Sequence, residues 1–216
     1  MSFRPAARQF FERRAAPTPP LPYDAEVEYI ESTGTQWIDT GLLAREGLLV
    51  ECVGNIMSWK ANGRLFGCSN GGRGRDFGVQ TGRTDTTQFY IGAAMSASYT
   101  SSVPIGQSSH VFNLDSTAGA KVFRIDGAVI YTWTTSLGVS LENFFLFSDS
   151  ASGYTSASRM CSFWMKDSTT GQTLVDLIPV RFTNEQNQSE GAMYDRVSGA
   201  LFRNAGTGAF TIGPDK

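Results

Sequence analysis

Asp24, Glu26 and Glu28 alternate near the start of the chain, so Glu26 and Glu28 share one face of an extended strand. A retaining glycosidase needs two carboxyl groups about 5–5.5 Å apart, one as acid and one as nucleophile, and alternate strand positions can supply them. The setting argues for a plainer role. The pair follows a proline-rich stretch directly, where charges on an edge strand discourage edge-to-edge pairing. Ser-His-Asp chemistry would have to use His110, the only histidine. His110 shares a strand face with Phe112 and Leu114 and reads as a half-buried core residue, so no catalytic residue is assigned. One histidine and three widely spaced cysteines give no zinc constellation. Calcium needs only loop carboxylates and carbonyls and stays open, with no ligand set singled out and no other cofactor expected. Asn70–Arg75 is a glycine-rich turn without the Lys-Ser/Thr and helix of a phosphate loop. Arg73 and Arg75 beside its glycines could grip an anion or a sugar, but an exposed loop is the better reading.

Sugar binding is the remaining chemistry. Lectin sites stack an exposed aromatic on the apolar face of a sugar and add amide or carboxylate hydrogen bonds. Trp59, Tyr99 and Tyr154 sit in polar, loop-like surroundings and are the candidate carbohydrate-binding residues. Trp37, Trp133 and Trp164 lie in strand-like runs and read as core, where most of the 12% aromatic content of a sandwich belongs.

The elements that must hold these residues are strands. A chain of 216 residues suits one all-β domain, a class that runs to about 200–250 residues. Its 41% hydrophobic content is ordinary for a buried core, and 23 glycines suit many turns. A net charge of −2 makes no case for nucleic acid or an anionic membrane, and no apolar run reaches the ~20 residues of a membrane span. Cys52 and Cys161 lie in apolar runs and read as small core residues, reduced in the cytoplasm where the chain is made.

Residues 1–22 differ in composition. They carry Arg4, Arg8, Arg13 and Arg14 against Glu12, with Phe3, Phe10 and Phe11 near one helical face. Pro17–Pro22 then imposes an extended segment. The expectation is a partly helical docking arm whose Phe3, Arg4, Arg8, Phe10, Phe11, Arg13 and Arg14 hold residues 23–216 on a larger assembly. The arm lacks the apolar stretch of a secretory signal.

Glu28–Gly41 opens the domain with strands either side of Ser32-Thr33-Gly34, and Gly47–Val53, Arg64–Cys68 and Gln88–Gly92 continue it. His110–Trp133 reads as strand, turn, strand, turn, strand. Asp126-Gly127 there is a two-residue hairpin signal, because that turn needs positive φ. Phe144–Phe147, Arg159–Lys166 and Thr173–Val180 follow, so two packed antiparallel sheets are expected.

The opening YIESTGTQWIDTG and the closing LIPVR…GAMYDRVSGALFRNAGTGAFTIGP, with the KVFRIDGAVI hairpin between, resemble a module of bacteriophage, prophage and gut-bacterial surface proteins. That module looks like a concanavalin A-like, LamG-type lectin/glucanase jelly roll, and the resemblance spans residues 26–214. It implies that the first and last strands lie together, with Trp37 near the NAGTGAF segment. It also implies calcium in many relatives, although no Asp here matches a ligand position. Hydrolases of this fold carry Glu-x-Asp-x-x-Glu or a close variant, and the expectation is that neither is present here.

The function expected is a virion structural protein, a capsid decoration or tail-associated subunit without enzymatic activity. Its partners would be other virion proteins and further copies of itself, and its place the virion. The alternative is a carbohydrate-binding adhesin for host glycans; a glycoside hydrolase ranks last.

Overall fold

The computed structural model describes residues 20–58, 63–69, 77–81, 87–91, 97–98, 108–117, 119, 121–134, 142–151 and 153–216. Most of the arm lies outside them. So do Trp59, Tyr99, the Asn70–Arg75 turn and the side chain of Trp133. Among the described residues there are strands and turns but no helix.

In chain order the strands are β1 (Ala25–Glu26), β2 (Ile30–Thr33), β3 (Ile38–Leu43), β4 (Leu48–Ile56), β5 (Arg64–Cys68) and β6 (Phe77–Thr81). Then come β7 (Thr87–Ile91), β8 (Ala97–Ser98), β9 (His110–Asp115), β10 (Lys121–Ile125), β11 (Ala128–Trp133) and β12 (Asn143–Leu146). The last are β13 (Ala157–Asp167), β14 (Thr173–Thr183), β15 (Ser189–Asp195), β16 (Leu201–Phe202) and β17 (Thr211–Ile212). The larger sheet runs β11-β10-β9-β4-β13-β14-β15-β16, with β1 on β14 and β2 between β13 and β17. The smaller runs β3-β12-β5-β6-β7-β8. Both sheets are antiparallel, as expected.

The sheets meet over aromatic rings. Phe66 of β5 and Phe144 of β12 stand in the smaller sheet, and Phe163 of β13 in the larger. The three ring centroids are 5.6–5.8 Å apart, and all three side chains are fully buried. Strict alternation makes this possible: β4 buries Leu48, Val50 and Cys52 and turns Leu49, Glu51 and Val53 outward. Cys161 departs from the expected core placement. A bulge between Met160 and Ser162 breaks the alternation of β13 there, leaving Cys161 half-buried.

The opening stretch divides between the sheets. β2 pairs with β13 and β17 in the larger one and β3 with β12 in the smaller, so the bend between them, residues 34–37, crosses the edge of the core. It lies slightly later than Ser32-Thr33-Gly34. Buried Gln36 holds it, its side-chain oxygen accepting from the Thr33 N–H at 2.8 Å and the Ser32 hydroxyl at 3.2 Å. The C-terminal segment closes over this bend as the resemblance implied. Ala205 N–H donates to Trp37 O at 2.8 Å, and Asn204 Oδ1 accepts from Trp37 N–H at 3.1 Å. At Gly206 a Cβ would lie 2.1 Å from Thr35 O and 2.8 Å from the Trp37 ring, so only glycine permits this approach.

Candidate functional site

The outward residues of the larger sheet form a row. On β10, Phe123 and Ile125 face the core and Arg124 faces out; on β9, Phe112 and Leu114 face in and Asn113 and Asp115 out. On β13, Phe163 and Met165 are buried and Trp164 and Lys166 lie on the other face. Strand register then lines up Arg124, Asn113, Glu51, Trp164 and Asp176 as successive cross-strand neighbours. At a strand spacing of ~4.8 Å the row spans roughly 19 Å.

Glu51 organises its centre. Oε2 accepts from Asn113 Nδ2 at 2.8 Å and Oε1 from Trp164 Nε1 at 2.9 Å. Both carboxylate oxygens are thus engaged in holding an amide and an indole at fixed angles. Lys166 Nζ lies 4.7 Å from the Trp164 ring centroid. At the far end Arg196 grips Asp176 with two bonds, at 3.0 and 3.1 Å. Beside the row opens a cleft of about 340 Å³, lined by Leu49, Glu51, Asn113, Asp115, Arg124 and Trp164. It joins apolar surface and an indole to acceptors and a guanidinium, the mixture of apolar lining and a few placed polar groups found in ligand sites. Trp164 is therefore half-buried on the outward face of β13, not the core residue its neighbours Phe163 and Met165 suggested. Trp37 is half-buried with its ring edge-on to Phe145, centroids 5.5 Å apart.

Of the aromatics read from the sequence as sugar-binding, Tyr154 is described. Its side chain is exposed and backed by the Arg64 guanidinium, 5.6 Å from the ring centroid. Its loop is fixed by Asp149, whose carboxylate accepts from Tyr154 N–H at 3.2 Å and approaches Arg64 Nε to 3.0 Å in a buried ion pair. Arg64 belongs to β5 of the smaller sheet, so Tyr154 stands apart from the row. Against expectation, Glu26, Glu28 and Glu31 are a close variant of the hydrolase spacing, with Glu in place of Asp. Glu26, at the end of β1 on β14, and Glu28, just beyond it, are both exposed on either side of buried Val27, while Glu31 on β2 pairs with Arg159.

His110 is half-buried, as expected, but not idle. Its Nδ1 lies 2.7 Å from Asp126 Oδ2 and its Nε2 lies 3.2 Å from Ser108 Oγ. Asp126 and Gly127 have φ of 51° and 80°, the turn conformation expected of that pair. Burial pushes the Asp126 carboxyl up, but the Val111 N–H bond, the His110 hydrogen bond and the His110 charge outweigh it and hold the group low.

Among the described residues no cluster of three or more His, Cys, Asp or Glu is placed to hold a metal ion. No helix among them is long and apolar enough to cross a membrane. Neither a protein-family model nor a curated protein matches the chain.

Proposed function

We propose that this chain is a virion structural protein: a concanavalin A-like jelly roll that displays a glycan-binding face and is held on its particle by an arm at residues 1–22. The observation that carries the binding role is the Arg124–Asn113–Glu51–Trp164 row beside an open cleft. A pyranose ring laid on Trp164 and Leu49 buries its apolar face. Asn113 and Asp115 then accept from its hydroxyls while Arg124 donates. Each site of this size binds weakly, and many copies on one particle convert weak contacts into avidity. Other virion proteins, as capsid decoration or tail neighbours, are the partners of the arm. The reading requires no metal.

Glycan-array binding tests the face. Trp164→Ala is expected to lower the affinity for whichever glycan binds by about tenfold or more, equal to about 1.4 kcal/mol. It should leave folding intact, because Trp164 lies outside the core. Unchanged binding by this variant, or no glycan bound by the intact protein, removes the carbohydrate role. The arm is tested separately. Deleting residues 1–22 should abolish incorporation into particles while leaving glycan binding by the free protein unaltered. Normal incorporation would overturn the virion anchor.

A further inference from the structure

We propose that Ser108, His110 and Asp126 form an acyl-transfer site that accepts small acyl groups from esters, an activity beyond the glycan-binding reading. The hairpin register builds it. Ile125 pairs with Phe112, so the chain turns at Asp126 directly opposite Val111. The two backbones lock there. Asp126 N–H donates to Val111 O at 2.9 Å, and Val111 N–H donates to Asp126 Oδ1 at 2.9 Å. This leaves Asp126 Oδ2 for His110 Nδ1 at 2.7 Å.

A proton on Nδ1 satisfies that contact and puts the free lone pair on Nε2, which faces Ser108 Oγ at 3.2 Å. The tautomer is assigned from these partners. Nucleophile, base and orienting carboxylate therefore follow one another with the contacts a serine hydrolase uses. A hairpin clasp alone would need His110 and Asp126 but not a hydroxyl at the second ring nitrogen. The imidazole is mostly covered, at 14% side-chain exposure, with Phe112 edge-on 6.4 Å away. Ser108 and Asp126 are exposed. Open access at the serine suits a short acyl group on a soluble alcohol; a long acyl chain requires a walled apolar slot.

In the first step Ser108 Oγ bonds to the acyl carbon and the ester C–O bond breaks. The serine proton passes to His110 Nε2 and then to the departing alkoxide, giving the alcohol. In the second, water gives a proton to Nε2 and its oxygen bonds to the acyl carbon. The Ser108 Oγ–C bond breaks and takes that proton back, releasing the acid. No oxidant, reductant or metal enters. His110 is the base, and Asp126 is a positioning residue acting through it.

The test uses the full chain with p-nitrophenyl acetate and, separately, diisopropyl fluorophosphate, read by peptide mass spectrometry. The expected result is a burst of nitrophenol with one acetyl group on Ser108, and one diisopropylphosphoryl group on the same residue, with fluoride released. Ser108→Ala should slow nitrophenol release by about a hundredfold, while Ser109→Ala leaves it unchanged. Asp126→Asn keeps a good hairpin turn, since Asn-Gly favours it too, yet should slow acylation by presenting an amide to Nδ1. Absence of label on Ser108 would overturn the proposal. So would Ser108→Ala releasing nitrophenol at the wild-type rate, which would assign the reaction to the imidazole alone.

Discussion

Phe163→Ala is expected to lower the unfolding free energy by about 3–5 kcal/mol, the range for emptying a buried phenylalanine site. Phe163 is the ring through which the larger sheet touches Phe66 and Phe144 of the smaller one. Its removal leaves a cavity between layers that each sheet's own hydrogen bonds hold in place, so little collapse can fill it. Urea denaturation followed by intrinsic fluorescence measures the loss as a lower midpoint with an unchanged slope. Phe163→Leu, which keeps most of the volume, should cost markedly less. Equal costs for the two variants would show that ring contact across the sheets is not what holds them.

Asp195→Ala is expected to cost about 2–4 kcal/mol for a different reason. The Asp195 side chain is nearly fully buried. Oδ1 accepts from Asp176 N–H at 2.9 Å and Val197 N–H at 3.1 Å, and Oδ2 from the Ser198 N–H at 3.1 Å and the Ser198 hydroxyl. Alanine would strand these donors, the Asp176 N–H on β14 and those of Val197 and Ser198 at the β15–β16 turn. Burial raises the Asp195 carboxyl, and the Ser198 hydroxyl with the backbone N–H groups of Asp176, Val197 and Ser198 overcomes it, holding the group below its ordinary value. A carboxyl depressed in the folded state stabilises above its unfolded value of about 3.9 and loses that contribution as pH falls through the folded one. Asp167 acts in the same sense: the Arg45 hydrogen bond, helped by the Thr170 N–H, holds it down to about 2. Stability should therefore decline as pH drops from about 4 towards 2. The Asp195→Ala variant, starting lower, should decline less over that window. Parallel pH profiles for the two proteins would refute the role given to Asp195.

This turn explains the closing motif. Tyr194-Asp195-Arg196-Val197-Ser198-Gly199 carried a resemblance in the sequence, and in the fold its acid, hydroxyl and glycine serve the turn itself. Gly199 takes φ of 76°, Asp195 collects the donors, and Arg196 reaches back to Asp176. Those are structural tasks: they close the β15–β16 turn and tie it to β14.

Local pattern decided much of the architecture. The period-two alternation in β4, β9 and β10 and the Asp126-Gly127 turn follow from residue types within a few positions, where a wrong face exposes Val50 or Phe123 to water. The Asp126-Gly127 turn fixes the β10–β11 register, Ile125 opposite Ala128; the β9–β10 register that brings Asp126 beside His110 is set by the separate connection after Asp115.

Other choices depended on residues far apart in the chain. Glu51 meets Trp164 across 113 positions, and no local rule says which face of the apolar run Ser162-Phe163-Trp164-Met165 points inward. A single bulge at Cys161 reverses the alternation, and bulges answer to the partner strand. Taken alone, the sequence determined an all-β chain, its turns and the inward faces of its strongly alternating strands, because these depend on neighbouring residues. Only the tertiary structure decided that β2 and β3 part into different sheets, that Trp164 faces solvent over Glu51, and that Ser108 and Asp126 flank one imidazole. Each of those is a cross-strand relation, set by register and by which side chains must escape water together.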